Sequence, residues 1–393
     1  NIISVFGGPN FPIVPEEKTQ FLNWYKNIDF FIELEGEIGF VELVKKLELF
    51  DFDIEKLKTS QEPITNCTYL SDSRLIKGLS ERVNDLNEIP SPYLTGMLDD
   101  FFDYPLLPMM ETTRGCPFSC AFCADGLTIK NKVRRFDIDR TKAEIDYICE
   151  RVQDIDEVII TDLNFGMYKP DLAVAQYIAK VQKEKNWPVI VNASAGKNKT
   201  DRIIETTKIL GGSWINGAAI QSTDPEVLNN IKRTNISLDS YKALSKVTEE
   251  LSKDGLTYTE IILGLPGDSK KKHFESLNYG VKGGFNNILA YQAILLYGTD
   301  MASQMTRDQY QLQTKYRTIP GCVGTYQFGE HEVTIAEIQE IIVGSKDLSF
   351  EDYISCRLMD LLIETFVNQG LFKEVFSSLN EIGIETFDCL LYM

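Results

Sequence analysis

The sequence predicts an α/β protein built around an incomplete parallel barrel, a partial (β/α)6 TIM-like barrel. Two observations support this prediction. Between residues 106 and 300, short apolar runs that are typical of strands alternate with helical patterns, which indicates βα units and a parallel sheet. Six such units fall within about 190 residues, and this is too few for the eight-fold closure of a complete barrel.

The first 50 residues predict a smaller α/β unit. An apolar run ends at the glycine pair Gly7 and Gly8, and a helical pattern and a second apolar run follow it. The chain begins with Asn1 and not with Met, so we expect that an upstream half of this unit is missing. Residues 51–105 are irregular and contain several prolines, and they predict a linker laid over the next domain.

The barrel region, residues 106–300, contains six candidate strands. Helical patterns separate them, and in residues 137–152, for example, isoleucines recur near helical spacing. Because parallel barrels carry their chemistry at the C-terminal ends of the strands, we expect the functional site in the loops that follow these ends. The candidate strands are residues 108–113, 156–161, 189–194, 214–220, 257–263 and 287–296.

Three cysteines lie close together in the loop that follows the first candidate strand. They are Cys116, Cys120 and Cys123 in "RGCPFSCAFCADG", residues 114–126. A structural zinc site takes four protein ligands, and a ferredoxin-type cluster takes one cysteine for each iron. Three thiolates suit an iron–sulfur cluster that keeps one iron open for another ligand.

The spacing Cys-x3-Cys-x2-Cys, with Phe122 before the last cysteine, resembles the signature of the radical S-adenosylmethionine (SAM) superfamily. The resemblance implies that Cys116, Cys120 and Cys123 hold a [4Fe–4S] cluster whose fourth iron is chelated by SAM. It also implies that an electron from the cluster splits the C–S bond of SAM and yields a 5′-deoxyadenosyl radical. The protein would then orient SAM, exclude water and position a substrate C–H bond.

The ends of two other strands extend this resemblance. "IITDLNFG", residues 159–166, is similar to the second-strand element of the superfamily, which implies that Asp162 and Asn164 contact the methionine amino group of SAM. The alternative is a strand end that these two side chains cap. "LLYGTDMA", residues 295–302, resembles the usual Gly-Thr ending of the sixth strand.

The fourth and fifth strands carry two further similar elements. In "AAIQSTDPEVLNNIKR", the resemblance implies that Gln221 and Ser222 meet the ribose or the carboxylate of SAM and that Arg233 pairs with the carboxylate. In "EIILGLPGDS", it implies that the backbone near Ile262 passes the adenine and that Gly264 permits a close turn.

The N-terminal unit resembles the last third of a Rossmann-like cobalamin-binding domain. In such domains a glycine pair after a late strand lines the nucleotide tail, and Gly7 and Gly8 match it. The Glu-Gly-Glu turn at residues 35–37 is kept, although Leu34 replaces the frequent arginine. The resemblance implies cobalamin binding by an intact domain. Because residues 1–50 are expected to be a remnant of this domain with two strands, we expect this chain to bind cobalamin weakly or not at all.

Residues 301–393 predict a mainly helical extension. "SFEDYISCRLMDLLIETFVNQG" indicates a helix with Ser349 as its N-cap, Asp352 completing a capping box and Gly370 at its C-terminal end. Its apolar residues predict either core packing or a lid over the mouth of the barrel.

Composition excludes several classes of protein. The formal charge of −18 argues against general nucleic-acid binding, and no apolar stretch is long enough to predict a membrane span. Most of the eight cysteines are scattered singly, which favours a reducing cytoplasm over a disulfide framework. A basic group after the cysteine loop predicts either a solvated turn or an anion site: Lys130, Lys132, Arg134 and Arg135.

These features together predict a radical SAM enzyme that performs cobalamin-dependent methyl transfer, or a related C–H functionalisation, on an unknown small molecule. The resemblance implies an electron donor such as flavodoxin or ferredoxin. One alternative is a radical SAM enzyme without cobalamin. Another is a non-catalytic iron–sulfur or zinc module that takes a distant fourth ligand from Cys149, His273 or His331. An interaction protein with a decayed site is a third, which the intact cysteine triple disfavours.

Overall fold

The computed structural model describes most of the chain. Asn216 and Thr257, which belong to the candidate strands 214–220 and 257–263, lie outside the described residues. The described residues are 2–215, 217–235, 240, 243, 246–247, 250–251, 258–285 and 287–393.

The N-terminal unit is a four-stranded sheet packed against helices. Strands β1 and β2 are parallel, and β3 and β4 continue the sheet in antiparallel fashion, in the order β1-β2-β3-β4. Phe30, Leu43 and Tyr69 are fully buried in its core. The elements are β1 (Val5–Gly7), α1 (Pro15–Trp24), β2 (Phe30–Ile32), α2 (Gly36–Leu49), α3 (Ile54–Ser60), β3 (Cys67–Ser71) and β4 (Arg74–Lys77).

The region predicted as a linker, residues 51–105, differs from the expectation in its first half. It contributes α3 and the β3–β4 hairpin to the N-terminal unit, which therefore extends to Lys77. The hairpin turns at Asp72 and Ser73, which both have positive φ, 47° and 64°. This geometry matches the twist of the flanking strands, but no glycine marks it in the sequence. After Lys77 the chain is irregular apart from two short 3₁₀ turns, as expected.

The middle of the chain confirms the α/β class. Each candidate strand overlaps an observed one, and all pairs in the two main sheets are parallel, in the orders β10-β9-β8-β5 and β11-β12-β13. The described residues show no backbone pairing between these sheets, so closure into a partial barrel stays a prediction. The strands are β5 (Met109–Met110), β6 (Thr113–Arg114), β7 (Arg134–Arg135), β8 (Glu157–Phe165), β9 (Ile190–Ala195), β10 (Trp214–Ile215), β11 (Gly217–Gln221), β12 (Tyr258–Leu263) and β13 (Asn287–Gln292).

Helices follow the strands and bury their apolar faces against them. In α5, Val174, Ile178 and Val181 recur at helical spacing and join one core cluster with Ile160 and Trp214. The pair β6–β7 is antiparallel and brackets the cysteine loop. The helices are α4 (Ile138–Arg151), α5 (Asp171–Lys185), α6 (Thr200–Leu210), α7 (Pro225–Asn230) and α8 (Lys270–Lys282).

The C-terminal region contains a long β-hairpin that the helical prediction missed. Near its base, the side chains of β15 pack under β12, and the distal half of the hairpin is exposed on both faces. The helix prediction holds after it: Ser349 Oγ accepts a hydrogen bond from the Asp352 amide at 3.1 Å, and Gly370 has a φ of +65°. The elements are α9 (Gln304–Tyr310), β14 (Gln313–Phe328), β15 (His331–Gly344), α10 (Phe350–Ile363), a π-helical turn (Glu364–Asn368), α11 (Lys373–Glu381) and α12 (Thr386–Leu391).

None of the helices in the described part of the chain combines the length and the apolar character that crossing a membrane requires.

Candidate metal centre

The cysteine loop is folded back on itself between β6 and β7. Cys116 and Cys120 are buried and Cys123 is partly exposed, and all three are free thiols. The Cys116 amide donates a hydrogen bond to the Lys130 carbonyl at 3.1 Å, and the Cys123 amide donates one to the Cys120 carbonyl at 3.1 Å. Burial raises the pKa of the Cys123 thiol. The three sulfur-bearing residues therefore stand on one compact segment.

Two glycines make this compact loop possible. Gly115 has a φ of +105°, and a Cβ there would lie 2.7 Å from the Lys132 carbonyl oxygen. A Cβ on Gly126 would lie 2.3 Å from the Cys120 carbonyl oxygen. Both distances are too short for a side chain, so the backbone closes around the cysteines only with glycine at these positions.

Remote segments that were predicted to share the site meet at the cysteine loop. The Ala121 amide donates to the Ile231 carbonyl at 2.9 Å, and the Ala121 carbonyl accepts from the Met301 amide at 2.9 Å. Phe122 and Ile262, both predicted site residues, pack against the same apolar cluster that contains Ile231 and Met301. The loop is therefore joined to the elements that follow β11, β12 and β13.

The end of β8 supplies two polar residues with different roles. Asp162 is buried, and its carboxylate accepts hydrogen bonds from the Thr112 and Thr113 amides at 2.7 and 2.9 Å and from the Thr112 hydroxyl. Asp162 therefore holds the segment before the cysteine loop, which favours the capping interpretation for this residue. Asn164 contacts the cysteine loop itself, because its Nδ2 is 3.4 Å from the Cys116 sulfur.

The predicted residues at the end of β11 and after it are largely engaged by neighbouring protein groups. The Arg233 guanidinium donates to the Ala219 carbonyl and, at 2.7 Å, to Asn235 Oδ1. Ser222 Oγ accepts from a backbone amide in the turn before α7. Gln221 is a non-glycine residue with a φ of +65°, a strained conformation that aims its side chain differently from a regular strand residue. The predicted pairing of Arg233 with a carboxylate thus has a competing protein partner.

Gly264 turns the chain at the end of β12. Its φ is +85°, so the position favours glycine for its backbone conformation. Its amide donates to Asp268 Oδ2 at 3.1 Å, and burial raises the pKa of Asp268 to about 6. The Asp268 carboxylate therefore stabilises the turn at Gly264.

Sequence reasoning missed Lys197, which follows β9. Its Nζ lies 3.6 Å from the Cys120 sulfur and 5.4 Å from the centroid of the Phe118 ring. A single lysine in a loop carries no recognisable pattern, and only the fold brings it beside a cysteine that is distant in sequence. The candidate metal centre therefore includes a cation that no motif indicated.

Several buried polar atoms near the cysteines have no hydrogen-bond partner among the described residues. They include Asn164 Oδ1, which is an acceptor, and the Tyr168 hydroxyl, and Gln221 Oε1 at the end of β11 is a further acceptor without a partner. Burial, together with the nearby Cys116, raises the pKa of Tyr168 to about 12, so its hydroxyl stays protonated. Since buried polar groups are normally satisfied, these atoms fit a polar ligand beside the cysteines.

The zinc alternative needs a fourth ligand. Cys149 packs on α4 against the core of the first sheet, His273 Nε2 is 2.8 Å from Asp360 Oδ1, and His331 is exposed at the tip of the hairpin. In the described ranges, no three His, Cys, Asp or Glu side chains are already arranged around one point. Soft thiolates on one loop suit iron–sulfur chemistry.

A cavity of about 380 Å³ separates the N-terminal unit from the end of the cysteine loop. Gly8, whose φ is +112°, lines it, together with Phe31 and Ile129. The buried pair Lys18–Glu33, joined at 2.6 Å, also lines the cavity. Gly7, in contrast, is taken up in the pairing of β1 with β2.

The basic group after the loop divides into paired and unpaired side chains. Lys130 pairs with Asp125 at 3.1 Å, and Arg135 pairs with Asp171 at 2.9 Å while it stacks on Tyr168. Arg134 keeps two buried nitrogens without a partner in the part of the chain that is described. Two of the four side chains therefore form internal ion pairs, and neither of the two predicted interpretations describes the group fully.

Comparison with known proteins gives one family match. The family model of the Radical SAM superfamily matches residues 110–279. This range begins just before the cysteine loop and ends inside α8, so it covers the metal centre and the strand ends around it.

Two curated relatives match most of this chain. One is the 2-(S-pantetheinyl)-carbapenam-3-carboxylate methyltransferase of Streptantibioticus cattleyicolor, which is 28% identical over 90% of this chain and 51% of its own length. The other is the cobalamin-dependent radical SAM methyltransferase TokK of Streptomyces tokunonensis, which is 28% identical over 80% of this chain and 46% of its own length. The chain thus spans about half the length of the curated relatives it matches.

One solved structure shares the fold. The radical S-adenosylmethionine methyltransferase TsrM of Kitasatospora setae superposes with a TM-score of 0.58 at 14% identity. The superposition covers 81% of this chain and 61% of TsrM.

Proposed function

Because residues 110–279 of this chain are a radical SAM domain, we propose that the protein is a radical SAM enzyme that transfers a methyl group. The domain match supports the first part of this proposal. The second part is supported by the two curated relatives, both of which are named methyltransferases.

The observation that carries the proposal is the composition of the metal centre. Cys116, Cys120 and Cys123 stand on one loop, with the Asn164 amide against one sulfur and the Lys197 ammonium against another. Both groups donate hydrogen bonds, and such donors stabilise thiolate and sulfide. We propose that the three cysteines hold three irons of a [4Fe–4S] cluster and leave one iron for SAM.

The strand ends beside the cysteines offer the polar atoms that SAM needs. Asn164 Oδ1 and Gln221 Oε1 can accept from the amino group or the ribose hydroxyls, and the Tyr168 hydroxyl can donate to the carboxylate. Phe122 and Ile262 contribute apolar surface that excludes water, and Gly264 lets the chain turn beside it. When bound, the cluster and SAM supply the electron transfer that splits the C–S bond.

We further propose that the cavity beside Gly8 is part of a cobalamin-binding site. It lies between the N-terminal unit and Asp125 at the end of the cysteine loop, so a group bound there would lie beside that loop. At about 380 Å³ it has the size of a pocket for a drug-sized molecule, and cobalamin is larger. The residues present therefore fit part of the cofactor, which supports weak binding by this chain.

The finer architecture and setting are part of the same proposal. The parallel strands that surround the cysteine loop are taken as a partial (β/α)6 barrel, with residues 1–77 as a unit of the cobalamin-domain type. All eight cysteines are free thiols, which suits a reducing cytoplasm. Reduction of the cluster needs an external donor, and a flavodoxin or a ferredoxin has the required chemistry.

The test is anaerobic reconstitution followed by an assay of SAM cleavage. We expect about four irons per chain. With a strong reductant and hydroxocobalamin, we also expect 5′-deoxyadenosine and S-adenosylhomocysteine as products. Cys116→Ala, Cys120→Ala and Cys123→Ala should each lose the cluster and both products, because each substitution removes one of the three proposed thiolate ligands.

Cys149→Ala is the matched control, since it removes a partly buried thiol outside the loop. It should keep the iron content and both products. Loss of the cluster in this variant would contradict the proposal of an open iron. A wild-type protein that binds four irons but yields neither product would contradict the proposal of a SAM enzyme.

A further inference from the structure

Lys197 is the closest cation to the cysteine sulfurs in the described structure. Its Nζ is 3.6 Å from the Cys120 sulfur, and its stem passes the Phe118 ring with 5.4 Å between Nζ and the ring centroid. Those two are the contacts that the described residues give this ammonium, and neither is a carboxylate. The charge of Lys197 is therefore directed at the metal centre and is not consumed by an ion pair.

The backbone holds this lysine in place. The preceding residue, Gly196, donates its amide to the Phe165 carbonyl at 3.1 Å, which ties the loop after β9 to the end of β8. A Cβ on Gly196 would lie 2.4 Å from the Met167 Cβ, so the two segments approach more closely than any other residue would allow. The backbone that carries Lys197 is thus tied to the end of β8.

The other charges near the loop do not neutralise Lys197. Asp125 is the acidic residue of the loop, and it is already paired with Lys130 at 3.1 Å. Asp162 is satisfied by three donors from Thr112 and Thr113. An uncompensated positive charge beside a buried sulfur stabilises negative charge on it, and this stabilisation is strong where water is excluded.

We propose that Lys197 sets the reduction potential of the cluster assigned above, so this inference rests on the proposed function. In the step concerned, an external low-potential donor gives one electron to the cluster and takes it from the 2+ to the 1+ state. No bond forms or breaks. The reduced cluster carries one more negative charge, so the nearby ammonium stabilises the reduced state more than the oxidised state and raises the potential.

The experiment is a redox titration of the reconstituted holoenzyme, followed by electron paramagnetic resonance without SAM. In Lys197→Met, the aliphatic stem stays and the charge is lost. We expect the equilibrium for reduction to fall about tenfold, which for one electron is about 59 mV. Lys197→Arg keeps the charge and should restore the wild-type equilibrium to within about twofold.

Lys208→Met is the matched control. It removes the same charge from an exposed lysine in the last turn of α6. The equilibrium constant for reduction of the cluster in this variant should stay within about twofold of the wild-type value. Iron content and SAM affinity are measured on every variant before the titration. The wild-type iron content separates the two proposals, because a wild type without a cluster overturns the proposed function itself.

Three results would overturn the role of Lys197 while leaving the proposed function intact. The first is a loaded Lys197→Met protein with an unchanged potential. The second is an unchanged potential together with a loss of SAM affinity, which would make the lysine a SAM ligand. The third is a Lys197→Met protein that takes up no iron while Lys208→Met does, which would make the lysine a residue for cluster assembly.

Discussion

The single residue Asp162 connects β8 to the start of the cysteine loop. It is 1% exposed, and burial raises its pKa while the hydrogen bonds from Thr112 and Thr113 act in the opposite direction. The sequence pattern assigned Asp162 to SAM, and the structure gives its oxygens to the protein. We therefore infer that Asp162 is a positioning residue, and that Asn164 is the residue of this pair with a free acceptor.

Asp162→Ala should destabilise the protein and lower its iron content. The substitution leaves the Thr112 and Thr113 amides without their acceptor, at about 1–3 kcal/mol for each unsatisfied group. Asp162→Asn keeps one carbonyl oxygen as an acceptor, so it should lose less stability and less iron than Asp162→Ala. Urea unfolding and iron analysis of both variants check this. Full stability and iron content in Asp162→Ala, with only SAM affinity reduced, would restore the assignment from the sequence.

Asp268 makes stability depend on pH. Its pKa of about 6 in the folded protein is above the ordinary 3.8, because it is buried behind Gly264. The folded protein therefore binds more protons than the unfolded chain between these values, and its free energy of unfolding falls as pH rises towards 6 and beyond. The contribution of Asp268 to the free energy of unfolding is fully present below pH 3.8 and is lost as the pH rises through about 6.

Asp268→Asn removes this dependence. Between pH 5 and pH 7.5, the free energy of unfolding of the wild type should fall by about 1.4 kcal/mol more than that of the variant. The reason is that pH 5 lies about one unit below the folded pKa, and one unit corresponds to that energy. The amide leaves one of the Gly264 and Ser269 donors without a partner, but this cost is the same at both pH values. Urea unfolding at the two pH values measures the difference. If the free energies of unfolding of the two proteins changed in parallel with pH, Asp268 would not be the source of the pH dependence.

Among the elements, strands of the parallel sheets were predictable and hairpins were not. Every candidate strand between residues 106 and 300 overlaps an observed one, since buried parallel strands are continuous apolar runs. The β14–β15 hairpin lacks this signal because most of its side chains are exposed and Pro320 and Gly321 interrupt it. The helix after it was predictable from the cap at Ser349.

The candidate site shows the same limit at the level of loops. The spacing of the three cysteines is local and identifies the loop, and Asn164 was indicated by its position at a strand end. Lys197 was missed because its neighbour Cys120 is 77 positions away in the chain. The partners of Asp162 are similarly remote, so a motif could indicate the residue but not whether protein or ligand occupies it.

For the whole molecule, the N-terminal unit is more complete than its sequence indicated. Four strands and three helices give it a core of its own, in which Phe30 and Tyr69 are fully buried. Phe6 in β1 is 53% exposed and does not belong to this core. The unit borders the cysteine loop across the cavity lined by Gly8.

Hydroxocobalamin should bind to this cavity weakly and saturably. Ile129→Trp places a larger ring at its wall and should weaken binding, whereas Ile338→Trp, on the exposed hairpin, should not. Titration followed by the corrin absorbance measures both affinities, and desalting should remove most of the ligand. A wild type with no saturable change would remove cobalamin from the proposal and leave a radical SAM enzyme of another subclass.

The two backbone hydrogen bonds of Ala121 have a consequence for how the site is loaded. Its amide and its carbonyl are bound to Ile231 and Met301, which are far apart in the chain. The segment between the cysteines therefore cannot open without separating three distant parts of the molecule. The backbone of this segment therefore loses its conformational entropy when the chain folds and not when the cluster binds. Cluster binding then has to order mainly the side-chain torsions of the loop.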